Sequence, residues 1–286
     1  MTASHLPPSE FPVHLDSTAH LMDSISSRLA GQLRLVSPLR HRRAVPPALV
    51  LVAHGSRDPR ALETVRALAD RVRELRPAVP VRLGHIELNE PLLPDALAAL
   101  GGGPAVLVPL LLSRGYHVRQ DIPGAAAAAP ARTRVAAPLG PHPLLVETLY
   151  DRLLEAGWPP VMDGSTRRSS AVVLAAAGSR DPDSATDTRR TARLLADRLG
   201  VPVVPAYASA ANPTVPTAVR ALAARGRHRV AIASYFTAPG RFAAQCAQAA
   251  PWVAAAPLGA HPAMARLILH RYDQARVTAG AELASA

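Results

Sequence analysis

The sequence predicts an α/β protein built from two related domains, each a four-stranded parallel sheet with helices on both faces. Two observations support this prediction: short, continuously apolar runs alternate with helical stretches, and the pattern of the first half recurs in the second. Continuous apolar strands are typical of parallel sheets that are buried on both faces. With 286 residues, 49% of them hydrophobic, the chain is large enough for two cores.

The elements of the first half follow one another with short connections. We predict strands at Ala48–Ala53, Val79–Ile86, Ala105–Leu112 and Arg134–Ala137, and helices at Pro59–Arg76, Leu92–Leu100, Ile122–Ala129 and Pro143–Ala156. We expect a flavodoxin-like strand order of 2-1-3-4. In that order ligands bind where the winding reverses, between the first and third strands.

Two segments of the first half recur about 120 residues later. AHGSRDP at Ala53–Pro59 returns as AAGSRDP at Ala176–Pro182, and PLGPHP at Pro138–Pro143 returns as PLGAHP at Pro257–Pro262. A repeat of this length is a whole domain rather than a solenoid unit. We therefore predict a flexible N-terminal extension (1–46), an N-terminal catalytic domain (47–160), a linker (161–170), a C-terminal degenerate domain (171–278) and a tail (279–286).

Charge and cysteine content limit the functions that the chain could have. The net charge of +11 favours an acidic partner, which could be nucleic acid, an anionic membrane or a polycarboxylate substrate. Cys246 is the only cysteine, which excludes an internal disulfide, a thiolate zinc site and a cysteine-ligated iron–sulfur cluster within one chain. The sequence has no apolar run of bilayer length and no signal-peptide core, so we expect a cytoplasmic protein.

Residues shared by the two halves are interpreted as structural. Asp58 and Asp181 each precede a proline, the arrangement of a helix N-cap followed by proline at the first helical position. His142 and His261 also precede prolines, and we expect them to cap or pack the last helix of each half. Ser56, in the turn before the first helix, could bind an anion there.

Three polar residues occur in the first half only, namely His54, Glu87 and His117. The aligned positions of the second half hold Ala177, Ser209 and Arg241, and we expect substitutions of Ala177 or Arg241 to matter little. Loss of all three residues together is what a dismantled active site would look like. Because they follow the first, second and third strands, we expect their side chains to converge on one crevice.

Two neutral imidazoles suit Fe²⁺, Co²⁺, Ni²⁺ or Zn²⁺, and a nearby carboxylate can act as a third ligand or a general base. The sequence contains no Gly-x-x-x-x-Gly-Lys-[Ser/Thr] loop, so ATP hydrolysis is not expected. His85 lies two residues before Glu87, on the same face of the strand, and we interpret it as an exposed histidine rather than a partner of the site.

These residues resemble a known family. The first half has His-Gly-Ser-Arg after its first strand, Glu-Leu-Asn-Glu-Pro at Glu87–Pro91, and Gly-Tyr-His-x-x-x-Asp-Ile-Pro within Pro109–Pro123. In these motifs the chain resembles the class II chelatases, which include the sirohydrochlorin chelatases, in their long two-domain form. The resemblance extends from about Ala48 to Ala275.

The resemblance implies a lyase that inserts Fe²⁺, which is favoured, or Co²⁺ into sirohydrochlorin without ATP, for siroheme or cobalamin biosynthesis. His54, His117 and Glu87 would handle metal and protons, and no cofactor beyond the substrate metal is implied. We hypothesise that Ser56, Arg57, Arg114 and Arg119 contact the tetrapyrrole carboxylates. We also expect a monomer whose domain pair imitates a dimer, with neither nucleic acid nor a membrane as partner.

Other functions are open at this point. A non-catalytic metal-binding or metal-delivery protein would use the same histidines without turnover of a tetrapyrrole. The high pI suggests nucleic-acid binding, but the sequence has no recognisable motif for it and few aromatic residues for stacking. A phosphate-handling hydrolase would use His54 but would leave Glu87 and His117 without a role.

Overall fold

The computed structural model describes residues 46–284, with side chains as far as Val277. The predicted extension at 1–46 lies outside the described residues except for Pro46. Part of the predicted tail is helical, because the last helix continues to Ala284.

The first half forms one parallel sheet with four main helices. Its strands are β1 (Ala48–Ala53), β2 (Val81–His85), β3 (Ala105–Pro109) and β4 (Thr133–Val135), and its helices are α1 (Pro59–Leu75), α2 (Leu93–Ala98), α3 (Ile122–Ala128) and α4 (Pro143–Glu155). The strand order is β2-β1-β3-β4 with every pair parallel, so the predicted order is confirmed.

The second half repeats this arrangement after a short helix, α5 (Gly164–Ser169), which lies in the predicted linker. Its elements are β5 (Ser170–Ala176), α6 (Pro182–Leu199), β6 (Val203–Tyr207), α7 (Val215–Ala223), β7 (Arg229–Tyr235), α8 (Arg241–Ala247), β8 (Val253–Ala254) and α9 (Pro262–Ala284). The parallel order β6-β5-β7-β8 matches that of the first sheet. The predicted fold class is therefore confirmed for both halves.

The helix starts explain why the repeated motifs are shared. Asp58 accepts a hydrogen bond from the backbone N–H of Arg60 at the start of α1, and Asp181 caps α6 in the same way. His142 and His261 cap α4 and α9 through Nδ1, which accepts a backbone N–H two residues later. A side-chain acceptor at this position satisfies one of the unpaired N–H groups at a helix start. The predicted capping roles are confirmed.

Side-chain alternation along the central strands separates three cores. In β1, Leu49 and Leu51 face a core shared by both halves, whereas Val50 and Val52 face an outer core beneath α2 and α3. The strand β5 alternates in the same way between the shared core and an outer core beneath α7 and α8. Each sheet is thus covered on both faces, with the shared core between the two sheets.

The last helix of each half packs on the other half. Helix α9 contacts α1 and β3 of the first half, and α4 contacts α6 and β7 of the second. The Tyr272 hydroxyl donates a hydrogen bond to the Pro47 carbonyl at 2.6 Å, and Arg76 pairs with Asp273 at 3.0 Å. The two halves therefore depend on each other for the burial of their sheets. Along the described part of the chain, no helix combines the length and apolar character needed to cross a membrane.

Candidate active site

A cleft of about 640 Å³ lies between the halves, at the carboxyl ends of the strands. Loops that follow β1 and β3 form one wall, and loops that follow β5 and β7 form the other. His54 and His117 line the first wall, and Ala177 and Arg241 line the second. Of the three residues predicted to converge on one crevice, His54 and His117 line the cleft, whereas Glu87 is not part of its lining.

Gly55 allows the loops after β1 and β2 to meet. It has a φ of 107°, and a Cβ atom added there would lie 1.8 Å from the Glu87 carbonyl oxygen. The close approach lets the Glu87 N–H donate to the His54 carbonyl at 3.0 Å. In the second half, a Cβ atom added at Gly178 would lie 1.9 Å from the Ser209 carbonyl oxygen. Ser209 is therefore the counterpart of Glu87.

The two imidazoles are direct neighbours. The ring centroids of His54 and His117 are 4.7 Å apart, with perpendicular planes. The carboxylate of Glu87, with 52% of its side chain exposed, reaches within 3.5 Å of Nδ1 of His54. The structure thus brings together the three residues that distinguish the first half from the second.

His117 has a carboxylate partner that the sequence reasoning missed. It begins a π-helical turn, His117–Asp121, that leads into α3, and its Nδ1 lies 2.5 Å from Asp121 Oδ2. The signal was present in the sequence, because residues four apart on a helix are neighbours. Single π-helical turns often occur at functional sites.

Both imidazoles therefore present Nδ1 to a carboxylate. For His117 we assign the proton to Nδ1 from its hydrogen bond with Asp121, which leaves the lone pair of Nε2 free for a metal. The contact of His54 with Glu87 is longer, at 3.5 Å. Within residues 46–277, whose side chains the structure describes, no three side chains of His, Cys, Asp or Glu are grouped so that they could hold a metal ion together. The geometry thus offers two imidazole ligands, with Glu87 beside His54. The predicted role of Glu87, as a third ligand or a general base, stays a prediction.

Two of the expected substrate contacts have other partners. The Arg114 guanidinium binds both carboxylate oxygens of Asp187 at 2.7 and 2.9 Å, and the Arg114 N–H donates to the same carboxylate. Arg119 pairs with Asp181 and Asp183 near the start of α6. These guanidiniums hold carboxylates of the opposite half and thereby connect the two halves. Their predicted contact with the substrate stays a prediction.

Of the remaining predicted substrate contacts, Ser56 has a hydrogen-bond partner within the protein, whereas Arg57 has no ion-pair partner among the described residues. The Ser56 hydroxyl accepts from the Asp58 N–H at 3.1 Å, as Ser179 does for Asp181, so this contact belongs to the repeated turn. Arg57 is exposed and lines the cleft, and it has no ion pair within the described residues.

His85 is buried, contrary to expectation. Only 1% of the residue is exposed, and Nδ1 lies 3.2 Å from the Pro91 carbonyl. Burial lowers its pKa below the ordinary value, although the contact with Pro91 opposes this shift. The position of His85 on the strand suggested exposure, but the loop that carries Pro91 contacts the ring and the residue is buried.

Comparisons with curated proteins give chelatase relatives. A sirohydrochlorin cobaltochelatase of Methanopyrus kandleri is 31% identical over 137 residues, 38% of this chain and 96% of the relative. The sirohydrochlorin ferrochelatase of Bacillus subtilis is 30% identical over 176 residues, 58% of this chain and 64% of the relative. A sirohydrochlorin cobaltochelatase of Methanococcus aeolicus is 38% identical, but the match spans only 55% of its length.

Solved structures show the same fold. SirB from Bacillus subtilis with Fe³⁺ superposes with a TM-score of 0.65 at 24% identity, covering 82% of this chain and 97% of SirB. A structure of CbiX, described as the terminal enzyme for biosynthesis of siroheme in denitrifying bacteria, gives a TM-score of 0.62 at 24% identity, covering 80% and 99%.

The family model CbiX matches the chain twice, over residues 48–156 and 171–275. The two matches fall on the two halves of the fold and together cover well over half of the sequence. The family that the sequence motifs predicted is confirmed, and the chain belongs to the CbiX family.

Proposed function

We propose that the protein inserts a divalent metal into sirohydrochlorin without ATP, and that Fe²⁺ is preferred over Co²⁺. The observation that carries this proposal is the pair of adjacent imidazoles in the cleft, each with Nδ1 facing a carboxylate. The names of the relatives support the reaction. The ferrochelatase relative supports iron, because its match extends over 58% of this chain, more than those of the named cobaltochelatases.

In this proposal His54 and His117 hold the incoming metal through their Nε2 atoms. A carboxylate at Nδ1 fixes the orientation of a ligating imidazole and raises its basicity. Glu87 and Asp121 would perform this task for His54 and His117 respectively. Two protein ligands leave several positions on the metal open, and the pyrrole nitrogens of the substrate would occupy them one after another.

The protons that leave the macrocycle need acceptors. Insertion of M²⁺ replaces two pyrrole N–H protons, so the product has the same net charge as the substrate. Once the metal has passed to the ring, each Nε2 is free to accept one proton, and Glu87 and Asp121 would stabilise the resulting imidazolium ions. The side chains of His54 and His117 are partly exposed, which allows these protons to reach solvent.

One chain would suffice for this reaction, because both walls of the cleft belong to the same molecule. The scheme needs no cofactor besides the metal substrate. The expectation that the protein acts in the cytoplasm, without nucleic acid or a membrane as partner, stays a prediction.

The experiment follows the absorption spectrum of sirohydrochlorin with Fe²⁺ or Co²⁺ under anaerobic conditions. Purified protein should accelerate the spectral change over the protein-free control, with a higher kcat/KM for Fe²⁺. His54→Ala and His117→Ala should each abolish most of the rate, whereas His228→Ala, an exposed histidine outside the cleft, should not. Metal binding without turnover would favour a delivery protein, and equal rates in all variants would refute the site.

A further inference from the structure

The wall of the cleft formed by the second half has no counterpart of the two histidines, but it carries an arginine, Arg241. Arg241 begins the helix after the third strand of its half, as His117 begins the π-helical turn after β3. Its side chain is exposed and lines the cleft. The sequence suggested that this residue matters little, but its surroundings point to a different conclusion.

The described residues that line the cleft include arginines but no carboxylates. Over the described residues, the lining contains no aspartate or glutamate but includes Arg57, Arg114 and Arg241. Arg114 is held by Asp187 and Asp183. For Arg57 and Arg241, the described part of the chain supplies no carboxylate partner. Arg57 stands beside the metal-binding histidines, whereas Arg241 is the unpaired guanidinium of the opposite wall.

Arg241 is also held in position by its neighbour. Its Cζ lies 4.9 Å from the ring centroid of Phe242, in a cation–π contact. Such a contact restrains the Arg241 guanidinium, which has no ion-pair partner among the described residues. A planar fork with free edges matches a carboxylate through two parallel hydrogen bonds, and such bonds between charged groups are stronger than neutral ones.

We propose that Arg241 binds a peripheral carboxylate of the tetrapyrrole, so that one half of the protein holds the metal and the other anchors the macrocycle. This inference rests on the proposed function. With a rim carboxylate on Arg241, the macrocycle would turn one face toward His54 and His117, because a metal reaches the pyrrole nitrogens only from a face of the ring.

The test measures metal-free sirohydrochlorin binding and turnover as two separate quantities. Arg241→Ala should raise the Kd for sirohydrochlorin and the KM for it about tenfold, with little change in kcat or in the KM for the metal. His54→Ala should show the reverse, a large loss of kcat with a nearly unchanged Kd for sirohydrochlorin. Arg241→Lys keeps the charge but not the fork, and we expect an intermediate Kd.

Arg225→Ala is the matched control, because it removes one exposed positive charge from the same half outside the cleft. Unchanged Kd and KM in Arg241→Ala, or an equal rise in Arg225→Ala, would overturn the assignment of Arg241 while leaving the chelatase function intact. A wild-type protein that binds sirohydrochlorin but does not insert metal would refute the function, and the Kd values would still decide the role of Arg241. Failure of the wild type to bind sirohydrochlorin would overturn both.

Discussion

Asp121 Oδ2 lies 2.5 Å from Nδ1 of His117, within a single π-helical turn. The equivalent region of the second half begins with Arg241 and has Gln245 four residues later, so imidazole and carboxylate are absent together. The pair is therefore a feature of the wall that carries His54 and His117 rather than of the repeated fold.

We expect Asp121→Asn to weaken metal use about 10- to 100-fold, because loss of the partner carboxylate disturbs the orientation and basicity of a ligating imidazole. The measurement is the KM for Fe²⁺ together with kcat at saturating sirohydrochlorin. Asp95→Asn, the same chemical change at an exposed position outside the cleft, is the control. Equal kinetics for the two variants would show that Asp121 does not support His117.

Most of the fold was predictable because the apolar runs and the internal repeat are strong signals. The residues at which strands end were harder to predict. The sequence extends the third strand to Leu112, but the ladder with β1 ends at the pair Val52–Pro109, since β1 itself ends at Ala53. Leu110–Leu112 leave the sheet and line the cleft, and their apolar character alone could not show this.

The exchange of terminal helices was not predictable either. An apolar helix face shows that a helix is buried but not which sheet it covers. For the same reason, the sequence did not show which residues Arg114 and Arg119 contact. Charge and position placed Arg114 and Arg119 near the histidines, but their aspartate partners lie more than 60 residues away in sequence, on a helix whose docking depends on the pairing of the two halves.

The ion pairs between the halves should contribute to stability unequally. Burial alone would raise the pKa of Asp187, but the hydrogen bonds from Arg114 outweigh it and leave this pKa below the ordinary value. The Asp187 side chain is only 6% exposed, whereas Asp183, which pairs with Arg119, is 34% exposed. Arg114→Met should therefore lower the urea midpoint at pH 7 more than Arg119→Met, because it leaves a buried carboxylate unpaired.

The difference between these two variants should depend on pH. A carboxyl group whose pKa is lowered by folding contributes stability above its unfolded pKa, and the contribution is lost as pH falls through the lower folded value. The gap in urea midpoint should thus be present at pH 7 and shrink toward pH 3. A gap that does not change with pH would mean that Arg114 stabilises the protein by packing alone.

His142 gives a second pH dependence, of independent origin. Burial, and then the nearby charges of Arg271 and His270, lower its pKa from 6.5 to about 4. Its Nδ1 caps α4 by accepting the Leu144 N–H, and a protonated ring could not accept it. Because the unfolded chain binds this proton more readily, stability is complete above pH 6.5 and declines as pH falls from 6.5 toward 4.

His142→Asn should remove this part of the decline, since asparagine caps helices well and does not titrate. The measurement is the urea midpoint of the wild type and the variant at pH 7, 6 and 5. We expect the wild type to lose stability more steeply over this interval, while both proteins keep the contribution of His261, whose pKa is also lowered by burial. If the urea midpoints of the two proteins decline in parallel, His142 has the same degree of protonation in the folded and the unfolded protein.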